Sequence, residues 1–488
     1  MNENEKDFYI KYRDELYNII YCKDKEKKKI IYDAFSFFTE GYKYMPKFKY
    51  GIWDGKIHLF NLKNNTFPNG LLFDLIKIFQ KYNYTYTIDP KLYPINFEEK
   101  YKKWEENTLY KLQLYPYDYQ IKAFEFCLKA NSAFILSPTA SGKSLIIYLL
   151  LRYFIENTNF KILISVPKIN LVEQLYNDIN IYEDDYIVCD ERYKMISGGD
   201  KNSPRRIIIA TWQMLIKQPP SWFKQFDCFI CDEAHQANSK SLTKIIESMK
   251  HLKYRYGFTG TLDGKIHELQ CRAWFGLLYK TKTTSELIKE GFINDLNIYC
   301  IQLNHNTNFN TKLEYQKEID YIISDEKRNR FILDTAFKQK HNTIVLFNYI
   351  EKHGDILYDM AKKEVEKHDK QIFKIIGNVD VNEREYIRTV MSKYDNILLF
   401  ASFGTMSMGA NIPNLQCAIL AHPFKAPIRI LQSIGRTLRK SKDKDKSIII
   451  DIIDNISYKF NYTYIHGIKR IKLYKTEKFN TYFSQLKL

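Results

Sequence analysis

Ala133-Phe-Ile-Leu-Ser-Pro-Thr-Ala-Ser-Gly-Lys-Ser144, continuing into Leu145-Ile-Ile-Tyr-Leu-Leu-Leu151, is the stretch on which the fold turns. Ala133 to Leu136 has the length and apolar composition of a buried strand, and Leu145 to Phe154 that of a helix. Between them lies a short loop ending in Gly-Lys-Ser. Strand, tight loop, Gly-Lys-Ser and helix, in that order, are what a phosphate-binding loop requires. Backbone N–H groups at the helix start point at the phosphates, Lys143 brings positive charge to the β and γ phosphates, and the Ser144 hydroxyl can ligate Mg²⁺. Thr139, Ala140, Ser141 and Gly142 are the loop residues that would cradle the nucleotide. Ser137 stands where the strict pattern has its first Gly. An ordinary helix N-terminus with a surface lysine has the same local sequence, so the surroundings must carry the argument.

Outward from this loop, short apolar runs alternate with amphipathic helical segments. The runs are Ala133 to Leu136, Lys161 to Val166, Arg206 to Ala210, Cys228 to Cys231 and Tyr256 to Thr259. A second series comprises Thr343 to Phe347, Ile372 to Ile376, Asn396 to Ala401, Cys417 to Ala421 and Ser447 to Ile453. Such alternation predicts parallel α/β sheets, and two series predict two lobes, 109–292 and 293–488, joined near Glu290-Gly-Phe-Ile293. Residues 1–108 read differently, as a small α+β module. A helix is expected near Lys27 to Phe38 and another over Leu71 to Tyr82, with a strand at Tyr84 to Ile88. Gly41 to Gly55 alternates aromatics with Lys and meets Asp54-Gly55 before Lys56-Ile-His-Leu-Phe60, which predicts a β-hairpin. The five Lys and one Asp of residues 41–63 make Lys43, Lys47, Lys49, Trp53 and Lys56 a candidate phosphate-plus-stacking surface for nucleic acid. A hairpin with an aromatic core and a lysine-covered face is the equal alternative.

Two further motifs carry chemistry. Asp232-Glu-Ala-His235 directly follows the apolar strand Phe229 to Cys231, at the end of the strand where an α/β sheet presents ligands. Asp232 can hold Mg²⁺ through water, and Glu233 is placed to orient and deprotonate a water attacking the γ-phosphate. Alone, an Asp-Glu pair is usually solvated surface; about 90 residues after a Gly-Lys-Ser loop, it is not. Gln432-Ser-Ile-Gly-Arg-Thr-Leu-Arg439, preceded by Arg429, puts Gln432, Arg436 and Arg439 on one helix face. Those guanidiniums can clamp a transferring phosphate as arginine fingers. Read in isolation the same face is a cationic, solvated helix.

Composition narrows the partner class. The 488 residues carry a net charge of +17, with 45% hydrophobic and 27% charged residues, values of a folded protein with a polyanionic partner or a generally cationic surface. From residue 425 onward there are 15 basic and 5 acidic residues, an imbalance that favours a nucleic-acid path along the second lobe. The apolar run Leu145 to Leu151 falls far short of the roughly 18 residues of a membrane span, and the charged N-terminus lacks a signal-peptide core. Neither membrane contact nor secretion is expected. Eight dispersed cysteines argue against a disulfide framework and fit a reducing cytoplasm. Cys228 and Cys231 lie in one expected strand, where residues three apart face opposite ways, so zinc or redox chemistry is not expected there.

The order Gln120, Gly-Lys-Ser, Asp-Glu-Ala-His, Thr259-Gly-Thr261 and Gln-x-x-Gly-Arg-x-x-Arg resembles that of superfamily 2 helicases, whose two RecA-like lobes bind ATP between them. More narrowly, the chain resembles the recombination and repair helicases of T-even bacteriophages. The resemblance includes Gly51-Ile-Trp-Asp-Gly-Lys56, Thr211-Trp-Gln213, Lys217-Gln-Pro219, Asp263-Gly-Lys265, Leu431 to Lys440 and His466-Gly-Ile-Lys-Arg470. It implies ATP and Mg²⁺ as cofactors and Gln120 as reader of the adenine edge. It implies that Thr259-Gly-Thr261, where the family more often has Ser-Ala-Thr, couples ATP state to lobe movement. Gly404 to Asn414 resembles the family's fifth motif, with Gly409 and Asn411 near the lobe interface and Thr405 among the strand contacts. Ile164 to Lys168, including Pro167 and Lys168, together with Gln174, Thr211, Trp212 and Gln213, would line the track for one strand. The implied activity is branch migration, fork regression and unwinding of RNA–DNA hybrids in R-loops, by a monomer working with recombination proteins in the host cytoplasm. The residues leave open an RNA helicase and a DNA-dependent ATPase translocase without processive unwinding.

Overall fold

The computed structural model describes residues 6–39, 41–92, 100–183, 185–195, 203–262, 264–307, 313–376, 381–406, 414–424, 446–456 and 461–488. It divides into two compact units: Met1–Ser137 with Gly142–Thr281, and Pro138–Ser141 with Lys282–Leu488.

The first unit holds a seven-stranded sheet. Its strands run in the spatial order Leu277–Lys280, Ser132–Leu136, Tyr254–Thr259, Cys228–Asp232, Ile162–Val166, Ile207–Thr211 and Arg192–Met195, every pair parallel. The five inner strands are those expected from sequence; the two edges are additional. Inner strands are buried on both faces and so read as unbroken apolar runs. Helix Lys143–Asn157, buried along most of its length, covers one face. Cys228 belongs to the cluster on that face and Cys231 to the cluster on the other. Burial pushes both thiols well above their ordinary range, and all eight cysteines are free thiols.

The second unit has its own seven-stranded parallel sheet, ordered Gln371–Ile375, Ile397–Ser402, Thr343–Phe347, Cys417–Leu420, Lys446–Asn455, Asp295–Asn304 and Asn480–Lys487. The long strands Asp295–Asn304 and Asn480–Lys487 were not anticipated. Two seven-stranded parallel sheets, each flanked by helices, are two RecA-like lobes.

The N-terminal module is α+β: a mixed sheet in the order Thr66–Pro68, Tyr17–Tyr21, Phe8–Tyr12 and Tyr86–Ile88, with helices Lys25–Ala34 and Leu72–Lys81. Two expectations need correction here. The first helix ends at Ala34, and Ser36–Phe38 is a strand that pairs antiparallel with Lys56–His58. The expected alternating strand over Gly41 to Ile52 is instead a 3₁₀ turn, Tyr42–Tyr44, and a helical turn, Pro46–Lys49. Gly41 enters that turn at φ 71°, and Pro46 supplies the fixed φ of a first helical position. Tyr42 and Phe48 pack edge to face at 4.7 Å, folding the aromatics onto each other. Gly55 closes the loop at φ 81°, where a Cβ would lie 2.4 Å from the Tyr42 ring.

Candidate nucleotide site and nucleic-acid surface

The phosphate loop leaves the C-terminal end of strand Ser132–Leu136 and enters helix Lys143–Asn157. Ala140 and Gly142 both take the left-handed conformation, at φ 67° and 76°. Ser141 closes the turn, its N–H and hydroxyl both donating to the Pro138 carbonyl at 3.2 and 2.6 Å. Gly142 is required on two counts, because a Cβ there would also lie 2.3 Å from Gln120 Nε2. Gln120 is thus a wall of the loop: it is buried, and its Oε1 accepts from the Tyr117 N–H at 2.8 Å. Lys143 is the first helical residue, and Ser144 Oγ lies 2.8 Å from the Tyr182 hydroxyl.

Strand Tyr254–Thr259 lies between the two other strands of the site, pairing Thr259 with Leu136 on one side and Phe258 with Asp232 on the other. The phosphate loop, the Asp-Glu-Ala-His turn and Thr259-Gly-Thr261 therefore emerge side by side from the C-terminal ends of three adjacent strands. Desolvation, and then the neighbouring Glu233 charge, push the Asp232 carboxyl up to about 6, although Lys143 pulls it down. A carboxylate so placed is short of positive charge, which is the condition a divalent cation relieves. Ser144 and Asp232 thus fit Mg²⁺ by donor type and by electrostatics.

Glu233 takes a left-handed backbone at φ 52° and ψ 44°, a costly conformation for a residue with a Cβ, and its N–H donates to Asp232 Oδ1 at 2.9 Å. Its Oε2 lies 3.2 Å from His235 Nδ1, which is also 2.9 Å from Thr259 Oγ1. The Thr259 hydroxyl donates to the Thr261 carbonyl at 3.0 Å. Its one proton is thereby used, so His235 Nδ1 is the donor between them and carries the hydrogen. A chain of contacts joins Glu233 to His235, Thr259 and Thr261, a link the sequence order did not reveal. His267 and Cys271 were also missed: His267 Nε2 lies 2.5 Å from the His235 carbonyl, and Cys271 Sγ 3.7 Å from the Ala234 carbonyl.

Of the expected strand contacts, Pro167, Lys168, Thr211, Trp212 and Gln213 come together at the ends of two paired strands. Val166 is in register with Thr211, and Gln213 Nε2 donates to the Pro167 carbonyl at 3.3 Å. Gln213 is exposed, Lys168 and Gln174 are half-buried, Thr211 is buried, and Trp212 packs partly against the core. In the module, Lys43, Lys47 and Lys49 are exposed beside Tyr44 (82% exposed), Tyr50 (78%) and Ile52 (74%). Trp53 is half-buried and donates to the Lys56 carbonyl at 2.8 Å, and the Lys56 ammonium sits 4.9 Å over the Phe38 ring. Gly409, Asn411, Arg429, Gln432, Arg436 and Arg439 lie outside the described residues, as does the Thr405 side chain.

Two RecA-like lobes carrying a Gly-Lys-Ser loop and an Asp-Glu-Ala-His turn at adjacent strand ends define a superfamily 2 helicase. Three family models match the sequence: "DNA helicase UvsW, N-terminal" over residues 7–89, "Type III restriction enzyme, res subunit" over 113–264, and "Helicase conserved C-terminal domain" over 327–441. The ATP-dependent DNA helicase uvsW of Enterobacteria phage T4 is 35% identical over 479 residues, covering 92% of this chain and 93% of that protein. The crystal structure of T4 UvsW matches with a TM-score of 0.51 at 32% identity, over 99% of each chain. The Type ISP restriction-modification enzyme LlaBIII bound to DNA shares the fold, with a TM-score of 0.58 at 15% identity over 76% of this chain and 31% of that one. The chain belongs to the UvsW family of ATP-dependent helicases.

Proposed function

We propose that this helicase acts on DNA, and on branched duplexes in particular: Holliday junctions, forks and R-loops in phage recombination, repair and replication. The observation that carries its motor chemistry is the convergence of Lys143, Ser144, Asp232, Glu233 and Thr259 at three adjacent strand ends. Lys143 and the loop N–H groups bind the phosphates, and Gln120 reads the adenine. Ser144 and Asp232 would hold Mg²⁺, which when bound would supply charge neutralisation to the phosphates. Glu233 orients the attacking water and takes its proton, with His235 beside its carboxylate. Arg436 and Arg439 supply the positive charge that the transferring phosphate needs, Gln432 adds a neutral amide donor, and Gly409 and Asn411 complete the nucleotide contacts. The DNA reading is supported by the UvsW relative named above and by the lysine-and-tyrosine surface of the N-terminal module, where Lys43, Lys47 and Lys49 meet phosphates and exposed rings meet unpaired bases. Pro167, Lys168, Gln174, Thr211, Trp212, Gln213 and Thr405 would line the strand track. The protein would work as a monomer in the host cytoplasm with recombination proteins; no helix among the described residues is long and apolar enough to cross a membrane.

The test is ATP hydrolysis without nucleic acid, then with single-stranded DNA, forked or four-way DNA, and matched RNA, using Glu233→Gln as the blank. Strong stimulation by branched DNA is expected. Stimulation by RNA alone would replace this reading with an RNA helicase, and stimulation by DNA without strand displacement would leave a translocase.

A further inference from the structure

Helix Gly264–Phe275 belongs to two cores at once. Leu269 and Ala273 are members of the N-terminal module's apolar cluster, together with Phe8, Ile10, Phe67 and Leu75. Arg272 grips Asp74 of the module's second helix with both terminal nitrogens, at 2.6 and 3.3 Å. The module presses so close that a Cβ on Gly70 would fall 1.9 Å from the Arg272 carbonyl. On another stripe of the same helix, at i, i+4 and i+8, stand His267, Cys271 and Phe275. His267 Nε2 donates to the His235 carbonyl, and Cys271 Sγ to that of Ala234. Phe275 packs into the lobe core, where a Cβ on Gly257 would meet its ring at 2.6 Å. The helix therefore holds the chain at the two residues directly after Glu233, the residue in the strained left-handed conformation.

We propose that this helix couples nucleic-acid engagement by the N-terminal module to the hydrolytic centre, with His267 and Arg272 as positioning residues. Close-packed interiors pass displacement on rather than absorbing it. A small shift of the module reaches the Glu233 backbone through Leu269 and Ala273 on one side of the helix and through His267 and Cys271 on the other. The inference rests on the reading that the module binds nucleic acid.

The experiment uses the full chain and reads ATP turnover with and without saturating forked DNA, DNA affinity, and melting temperature. Asp74→Ala is expected to keep the basal rate and DNA affinity while losing about fivefold or more of the DNA stimulation, the lower range of allosteric couplings. The reversed pair Asp74→Arg with Arg272→Asp should regain it. His267→Ala should lower kcat at unchanged KM for ATP, and His267→Gln, whose amide can still donate to the carbonyl, should recover much of the loss. Equal stimulation of wild type and Asp74→Ala overturns the proposal. So does a loss that disappears at higher DNA concentration, or one that only tracks a lower melting temperature and is not regained by the reversed pair. If wild-type hydrolysis responds to no nucleic acid, it is the reading under Proposed function that fails, and this inference goes with it.

Discussion

Gly142 shows how much one missing methylene group decides. Its left-handed backbone costs an L-residue about 1–2 kcal/mol, and a Cβ would displace the Gln120 amide. Gly142→Ala is therefore expected to weaken ATP affinity by about tenfold, equivalent to about 1.4 kcal/mol, in a nucleotide titration. Glu233→Gln makes the opposite split: shape is kept and the base is lost. Its kcat should fall by about 10²–10⁴ while nucleotide binding persists, as single-turnover hydrolysis beside a binding titration would show. Lys143, Ser144, Asp232 and Glu233 were legible in the sequence because each stands next to the apolar strand or helix that aims it. Tyr182, His267 and Cys271 were not: they reach the phosphate loop and the Asp-Glu-Ala-His turn from 32 to 38 residues away, through packing that no local spacing records.

The inner strands of the first sheet announced themselves because burial on both faces demands an unbroken apolar run, whereas the inner strand Asp295–Asn304 of the second alternates buried with more exposed residues and did not. The edge strands Arg192–Met195 and Asn480–Lys487 carry polar residues on open faces and read as connections. The stretch Gly41 to Ile52 misled because alternation of Lys and aromatics suits either a strand or a knot of rings, and Gly41 and Pro46 decide for the knot. Charged residues inside strands are harder still. Asp454 sits fully buried in strand Lys446–Asn455, where Arg328 Nε and Nη2 meet its two oxygens at 2.6 and 2.9 Å, and Nη2 also donates to the Ala421 carbonyl at 2.7 Å. One guanidinium thereby ties helix Glu326–Phe337 to the ends of two strands. Arg328→Met would leave the buried Asp454 carboxylate with His305 beside it but without its guanidinium, and should cost about 3–5 kcal/mol in urea denaturation. Replacing Asp454 by Leu in the same chain should regain much of that, since an apolar pair carries no desolvation penalty.

At the scale of the whole molecule, the composition changes near residue 109 but the packing continues across it, since the module's core takes in Leu269 and Ala273. The net charge of +17 signalled a polyanion without indicating which one, because phosphate contacts carry no sugar or sequence information. Charge also sets how the chain responds to acid, and here two buried histidines act together. Burial, reinforced by the Arg328 charge, holds His422 down at about 3 and His353 well below its ordinary value. Both stay neutral in the fold, whereas in the unfolded chain each protonates near 6.5. Below that pH the unfolded state binds two protons that the native state refuses, so stability falls as pH falls, by about 1.4 kcal/mol per unit for each histidine. Asp454 does not titrate in this window: its carboxyl is held well below the usual range by Arg328 and His305 despite its burial, so its contribution is constant here and is lost only under far more acid conditions. Between pH 7.5 and 5.5 the second lobe should therefore lose about 3 kcal/mol, read as a drop in its urea midpoint. His422→Phe should roughly halve the slope by removing one of the two protons. A midpoint that stays level over this range, or a variant as acid-sensitive as the parent, would show that these rings do take up protons in the folded lobe.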